Sequence, residues 1–235
     1  MISLVIGGQT GVGRSIVEVL RGRGDEVYTF SRRKSKDENH ISIDLGSKTS
    51  IKKIEDLLNN SLIDNLIFCH RYRGDDIKIE YQITVNAVCE IIELLKGKFK
   101  KNGSIVALSS EASNLIFDEQ AIAYHTSRAA LESLIRYYAV RLGAKGIRCN
   151  CVLPGTIIKE ENRSFFTEDN PVTKLIKEIT PLNNIGHSID IANLVEFLCS
   201  DKSSFISGQS INVDGGLGLV AQESIARRMK DLKHE

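Results

Sequence analysis

The feature that most constrains the fold is an alternation of short apolar runs with segments of helical spacing. The apolar runs have the length of strands and are rich in β-branched residues; they are Ile2 to Ile6, Glu26 to Phe30, His40 to Ile43, Leu62 to Cys69, Ser104 to Leu108, Ile147 to Leu153 and Ser210 to Val213. Between most of them, apolar residues recur every three or four positions, as in amphipathic helices. Strands this apolar are typical of a parallel sheet covered by helices on both faces. The sequence therefore predicts an α/β fold, doubly wound, with about seven parallel strands.

The chain is expected to form one domain. Its 235 residues, 42% of them hydrophobic, suffice for one large core, and no linker or low-complexity tract divides residues 1–235. The alternation is interrupted only at residues 154–187, where charge clusters surround a single helical piece, Pro171 to Ile179. Long excursions of this kind are usually functional, so we expect this one to cover a substrate site as a lid.

Charge and cysteine content exclude several classes of function. The 31 basic and 30 acidic residues give a net charge of +1, which is unlike a nucleic-acid-binding protein and favours a small-molecule partner. The five cysteines are scattered in apolar runs, and Cys149 with Cys151 makes a poor zinc site, so we expect buried thiols and no metal. There is no stretch of membrane-spanning length and no signal segment. We expect a cytoplasmic protein.

A glycine-rich turn follows the first apolar run. In "VIGGQTGVGRSIVEVL", Gly7, Gly11 and Gly13 lie between a strand and a helix. Such a turn lets a pyrophosphate approach the backbone, and the helix N-terminus offers free N–H groups. The spacing differs from the Gly-x-Gly-x-x-Gly pattern of longer dehydrogenases. From the glycines alone, a dinucleotide cradle and a tight turn without a ligand remain alternatives.

The end of the second strand bears on which dinucleotide would bind. It reads "FSRR", so the acidic residue that would bind the 2′-hydroxyl of NAD is missing. Ser31, Arg32 and Arg33 instead offer donors that suit the 2′-phosphate of NADP, Arg32 more than Arg33. The alternative is a solvated basic loop. We expect NADP, with NAD the second choice.

Taken together, the motifs resemble those of the short-chain dehydrogenase/reductase family over nearly the whole chain. The matching features, in order, are the glycines of the turn; Asp44-Leu45 after the third strand; Asn86 in "ITVNAV"; Ser110 at the end of "GSIVALSS"; Tyr124 in "AYHTSR"; and Pro154-Gly155 in "GIRCNCVLPG". The resemblance implies a single Rossmann-like domain, a homodimer or homotetramer, and hydride transfer between NADP(H) and a carbonyl or alcohol substrate.

The resemblance also implies the roles of the site residues. Tyr124 would exchange the proton, Ser110 would hydrogen-bond the substrate oxygen, and Asn86 would hold the inner helix and a relay water. A free tyrosine has a pKa of about 10 and needs a cation nearby to act as a base; Arg128, four residues along the helix, lies on the same face. The cofactor would contact Gly7, Gln9, Thr10, Gly11, Val12, Gly13, Ser31, Arg32, Arg33, Asp44, Leu45, Cys69, His70, Arg71, Tyr124, Arg128, Pro154, Gly155 and Ile157.

Several residues depart from the family pattern. Arg128 stands where the family has lysine, and its planar guanidinium is a different shape. Phe68, Cys69, His70 and Arg71 stand where the family has Asn-Asn-Ala-Gly. Arg71 would either crowd the cofactor or contact a phosphate. Lys159 stands where a threonine is usual. The alternative function is therefore a weak or inactive relative that binds nucleotide or assembles with a partner.

Residues next to the motif positions have simpler interpretations. Ser109 or Ser113 would share the role of Ser110 if the loop shifted. We interpret His125 as a surface residue of the helix near the mouth of the pocket. Phe165 and Phe166, in the excursion, would pack either over the pocket or in the core.

Overall fold

The computed structural model of the chain describes residues 1–59 and 61–230. Its strands are β1 (Ile2–Ile6), β2 (Glu26–Ser31), β3 (His40–Ser42), β4 (Ile63–Phe68), β5 (Phe99–Leu108), β6 (Arg148–Pro154), β7 (Ile157–Ile158), β8 (Gly186–His187) and β9 (Ser210–Val213). Seven of them form a parallel sheet in the order β3-β2-β1-β4-β5-β6-β9. The predicted seven-stranded α/β fold is confirmed.

Helices cover both faces of this sheet. They are α1 (Gly11–Gly22), α2 (Lys48–Leu58), α3 (Ile77–Tyr81), α4 (Ala87–Leu95), α5 (Ile122–Gly143), α6 (Pro171–Ile179), α7 (Ser188–Leu198) and α8 (Gln222–Met229). On one face α1 packs against α7, and residues such as Ile16 and Val195 are fully buried there. On the other face α2, α4 and α5 bury residues such as Ile54, Ile91 and Leu131. The periodic apolar positions of the sequence thus form two cores, one on each side of the sheet.

The strand order places a crevice at one edge of the sheet. β1 pairs with β2 on one side and with β4 on the other, so the chain changes direction of winding between β1 and β4. In doubly wound sheets, ligands bind at this point, outside the carboxyl ends of the strands. The loops after β1, β2, β4, β5 and β6 all end at this edge because the strands are parallel.

The excursion of residues 154–187 is more ordered than its sequence suggests. Its predicted helical piece is present as α6, which begins with Pro171 at the first turn and is capped by the side chain of Asn170. Two short strands, β7 and β8, pair with each other and join the ends of the excursion. The sequence did not predict these two strands, because each has only two residues and the excursion is rich in charged residues.

Two further features of the described residues concern what surrounds the sheet. A π-helical turn, residues Gln82–Asn86, joins α3 to α4.

Among residues 1–59 and 61–230, no helix has both the length and the apolar character that a membrane crossing requires.

Candidate active site

A cavity of about 630 Å³ occupies the crevice. It is lined by every residue that the sequence predicted at the cofactor, namely Gly7, Gln9, Thr10, Gly11, Val12, Gly13, Ser31, Arg32, Arg33, Asp44, Leu45, Cys69, His70, Arg71, Tyr124, Arg128, Pro154, Gly155 and Ile157. Ser110 also lines it, as do Lys159 and Phe166 from the excursion. Asn86 is not part of its lining.

The glycine turn forms one end of the cavity, and its backbone needs glycine at each of three positions. Gly7 has a φ of 95° and Gly11 a φ of 53°, values that residues with a Cβ rarely adopt. A Cβ on Gly13 would lie 2.2 Å from the carbonyl oxygen of Gly7, which is too close for any side chain. Thr10 precedes α1 without a side-chain hydrogen bond to it within the described chain, so N–H groups of the first turn face the cavity.

The basic end of β2 forms an adjacent wall. Arg32 and Arg33 are exposed, and the backbone N–H of Arg33 donates to Ser31 Oγ at 3.2 Å. After β3, the side chain of Asp44 accepts a hydrogen bond from the N–H of Gly46 at 3.0 Å. The guanidinium groups therefore extend from a fixed turn into solvent at the cavity rim.

The residues after β4 pack directly against the glycine turn. A Cβ on Gly7 would lie 2.6 Å from the backbone nitrogen of His70, and the Cys69 thiol donates to the carbonyl of Ile6 at 3.2 Å. His70 Nε2 donates to the carbonyl of Ile83 at 2.9 Å, and burial lowers the pKa of His70 to about 4. This imidazole is therefore neutral near pH 7, and its Nδ1 has no hydrogen-bond partner in the described chain.

Tyr124 lies in the first turn of α5, with two guanidinium groups near its ring. The central carbon of Arg71 is 4.5 Å from the centre of the tyrosine ring and that of Arg128 is 4.9 Å from it. Arg71 also donates to Gln120 Oε1 at 2.8 Å. Positive charge at these distances is attracted to the face of an aromatic ring.

Arg128 is buried, with 3% of its surface exposed. Its Nη1 donates to the carbonyl of Leu108 at 3.1 Å, and its Nη2 lies 3.9 Å from the buried carboxylate of Glu80. Burial lowers the pKa of the guanidinium, while Tyr124 and Glu80 oppose this effect. Its Nε and Nη2 are buried and have no hydrogen-bond acceptor among the described residues.

Glu80 provides a buried carboxylate next to the guanidinium group of Arg128. It is 2% exposed and accepts hydrogen bonds from Thr84 Oγ1 at 2.6 Å and Ser127 Oγ at 2.8 Å. The sequence reasoning missed this residue, because a glutamate in the polar stretch before α4 gives no sign of burial.

The two serines at the end of β5 have different environments. Ser109 Oγ donates to the carbonyl of Arg128 at 3.1 Å and to Glu132 at 3.2 Å, so its hydroxyl is engaged in the packing of α5. Ser110 Oγ accepts from the N–H of Ala112 at 3.2 Å and retains its hydroxyl proton for another acceptor. Ser113 Oγ donates to the carbonyl of Ser110 at 2.8 Å.

Glu111, which follows Ser110 directly, is a cavity residue that the sequence reasoning missed. It is 6% exposed and lines the cavity. Burial, together with a hydrogen bond to Asp214, raises the pKa of Glu111 to about 7. Asp214 accepts from the N–H groups of Gly216 at 2.9 Å and Gly218 at 2.8 Å. The available signal was topological: Glu111 and Asp214 follow β5 and β9, whose carboxyl ends lie at one edge of the sheet.

The raised pKa of Glu111 makes a prediction about stability. Between the ordinary value of 4.5 and about 7, the folded chain keeps a proton that the unfolded chain releases, so the free energy of unfolding falls as pH rises through this window. Glu111→Gln removes this titration. We expect the variant to match the wild type near pH 4.5 and to exceed it by about 1–3 kcal/mol at pH 8. Urea unfolding at both pH values measures the difference, and a pH-independent difference would contradict the assignment.

The structure corrects the prediction for His125 and gives the surroundings of Asn86. Asn86 is exposed and its side chain donates to Gln82 at 3.1 Å; it is the last residue of the π-helical turn. His125 is buried rather than on the surface, since its Nε2 accepts from the N–H of Phe117 at 2.9 Å. It fixes the loop that leads into α5.

The two aromatic residues of the excursion take different places. Phe166 lines the cavity, whereas Phe165 is half exposed and packs edge-on against it, with ring centres 5.0 Å apart. Lys159 also lines the cavity, and burial lowers the pKa of its ammonium group, as do the nearby Arg71 and Arg73. The excursion therefore contributes an aromatic ring and a cation to the wall above Tyr124.

Comparison with known proteins agrees with this geometry. A family model described as enoyl-(acyl carrier protein) reductase matches residues 47–218. A tropinone reductase homologue of Arabidopsis thaliana is 30% identical, over 92% of this chain and 79% of its own. A 7alpha-hydroxysteroid dehydrogenase of Clostridium sardiniense is 27% identical over 93% of both chains.

Solved structures show the same relationship. A short-chain dehydrogenase family protein from Francisella tularensis superposes with a TM-score of 0.80 at 28% identity, over 93% of this chain and 99% of the other. The doubly wound sheet, the cavity at its switch point and the family match together show that this chain belongs to the short-chain dehydrogenase/reductase family of oxidoreductases.

Proposed function

We propose that the chain transfers a hydride between NADP(H) and a carbonyl or alcohol substrate, with Tyr124 exchanging the proton on the substrate oxygen. The observation that carries this proposal is the position of Tyr124, in one cavity with Ser110 and the glycine turn and with guanidinium carbons 4.5 and 4.9 Å from its ring centre. A relative named as a dehydrogenase of hydroxysteroids and another named as a tropinone reductase homologue support the reaction class.

The residues present fit a dinucleotide along the cavity. The glycine turn lets a pyrophosphate approach the free N–H groups at the start of α1. Ser31, Arg32 and Arg33 offer hydrogen bonds and positive charge to a 2′-phosphate. Arg128, which also lines the cavity, would place its positive charge near the nicotinamide ribose. When bound, the nicotinamide supplies the hydride or accepts it.

The chain's own residues would then handle the proton and the substrate oxygen. Ser110 Oγ, which accepts from Ala112, keeps its proton for the substrate oxygen. Tyr124 gives its proton to that oxygen during reduction, and Arg71 and Arg128 stabilise the charge left on the phenol. Asn86 is not part of the cavity lining, and its role in this proposal is to hold a relay water at the inner helix.

Cofactor binding is tested first. NADPH and NADH are titrated separately against the melting temperature of the protein, since a ligand that binds only the folded state stabilises it by mass action. We expect NADPH to raise the melting temperature more than NADH at equal concentration. A protein that neither ligand stabilises has no functional dinucleotide site.

Arg32→Ala tests the preference for NADP. Loss of one charge-assisted contact to the 2′-phosphate is worth about 1.5–3 kcal/mol, so NADPH affinity is expected to fall about 10- to 100-fold while NADH affinity stays nearly constant. Equilibrium titration of both cofactors measures the ratio of dissociation constants, and Lys34→Ala, in the same exposed loop but outside the cavity lining, is the control. An unchanged ratio would remove Arg32 from the site.

A second candidate function rests on side chains that reach into the cofactor region. The carboxylate oxygens of Glu161 lie 3.2 Å from the point where a Cβ on Gly11 would be, and Glu160 is paired with Arg14 on α1 at 3.2 Å. An acidic group beside the phosphate cradle favours a weak or inactive relative that binds nucleotide poorly or acts through assembly. Glu161→Gln separates the two: under the second candidate NADPH binds measurably only to the variant, whereas under the first it binds the wild type.

We further propose assembly as a homodimer or homotetramer through α5. Tyr137 and Val140 lie three residues apart on one face of this helix. They are 57% and 80% exposed. Tyr138 is buried in the protein and donates to Glu93 at 2.9 Å. Light scattering of the wild type and of Val140→Glu measures the mass, and an unchanged mass in the variant would place any interface elsewhere.

A further inference from the structure

Glu111 is a buried carboxyl group that the proposed proton transfer does not use. It follows Ser110 directly, so its α-carbon is about 3.8 Å from that of the serine, and it lines the same cavity. Its Oε2 lies 3.0 Å from the point where a Cβ on Gly155 would be. Gly155 also lines the cavity, so this oxygen is at the wall beside the site of reaction.

The two oxygens of Glu111 differ in their surroundings. Oε1 is fully buried and has no hydrogen-bond donor in the described chain. Oε1 and Asp214 Oδ2 both lie near the point where a Cβ on Gly218 would be. Two backbone N–H groups hold the negative charge on Asp214. A proton on Oε1 therefore donates to Asp214, and this removes the repulsion between the two carboxylates.

This assignment leaves Oε2 as an acceptor. None of the described residues donates a hydrogen bond to it, and its place at the cavity wall makes it reachable by a ligand. The group that completes it must carry an O–H or N–H.

We propose that Glu111 is a specificity-determining residue whose Oε2 accepts a hydrogen bond from a hydroxyl group of the substrate, adjacent to the carbon that reacts. The inference rests on the proposed function and names its substrate class as hydroxylated ketones and their diols. A hydroxyl is favoured over an ammonium group because Arg71, Arg128 and Lys159 already line this cavity with positive charge.

The test compares 2-hydroxycyclohexanone with cyclohexanone as substrates of the NADPH-bound protein. The ratio of their kcat/KM values in each variant is the readout, since the intrinsic reactivity of the two ketones cancels between variants. Glu111→Ala is expected to lower the ratio about 10- to 100-fold. Glu111→Gln is expected to keep it, because the amide nitrogen donates to Asp214 and the amide oxygen replaces Oε2. Glu119→Ala, an exposed acid of the same loop, is the control.

The outcomes separate this inference from the proposed function. Turnover of cyclohexanone that Tyr124→Phe abolishes supports the function, and an unchanged ratio in Glu111→Ala then overturns the inference alone. If neither ketone is reduced, the proposed function fails in this panel. Binding of cis-1,2-cyclohexanediol and of cyclohexanol, measured calorimetrically with NADP⁺ present, then gives the same comparison without turnover. Tighter binding of trans-2-aminocyclohexanol than of the diol would also overturn the inference.

Discussion

Tyr124→Phe is expected to lower kcat for ketone reduction by about 10²- to 10⁴-fold, the usual contribution of a positioned acid or base. The phenol oxygen is the atom that passes the proton, and the only atom that the substitution removes. The ring remains near Arg71 and Arg128, whose attraction is to the aromatic face. Following NADPH oxidation under saturating cofactor measures the effect.

The same variant provides its own structural control. The Tyr124 hydroxyl makes no hydrogen bond within the described part of the chain, in contrast to the hydroxyl of Tyr138, which donates to Glu93. We therefore expect an unchanged melting temperature and an NADPH dissociation constant within about twofold of the wild type. A variant that keeps more than a tenth of the wild-type kcat would show that another group transfers the proton.

The fold was predictable because its signals are local and repeated. Each β-branched run became a strand, and each set of apolar residues at helical spacing became a buried helix face, as Val12, Ile16 and Leu20 did in α1. The features that escaped prediction are short or depend on distant partners. β7 and β8 have two residues each and exist because they pair across the excursion.

The site was predictable where backbone geometry dictates the residue type. Gly7 and Gly11 need positive φ angles, and their pattern is visible in the sequence for that reason. The π-helical turn that ends at Asn86 has no signal in the sequence, and the role of Asn86 stays a prediction. Glu111 was missed because its importance depends on Asp214, about a hundred residues away, and adjacency of the two strand ends is a property of the fold.

The prediction for Arg128 addresses the departure from the family's lysine. Arg128→Met removes the positive charge beside Tyr124 and leaves the buried carboxylate of Glu80 without its cation at 3.9 Å. We expect kcat to fall at least about 10²-fold, and the free energy of unfolding to fall by about 1–3 kcal/mol. Arg128→Lys keeps the charge, and we expect kcat within about tenfold of the wild type. NADPH oxidation and urea unfolding of both variants measure the two quantities.

Glu80→Gln separates the structural effect of Arg128 from its chemical effect. This substitution neutralises the carboxylate while the amide still accepts from Thr84 and Ser127, so in combination with Arg128→Met it should restore stability without restoring kcat. If kcat recovers together with stability, Arg128 acts only by holding α3 against α5. If Arg128→Lys instead creates turnover that the wild type lacks, the natural chain is not a reductase of this mechanism. Its arginine would then mark the second candidate, a weak or inactive relative, because a guanidinium fixed on Leu108 does not replace the lysine of the family.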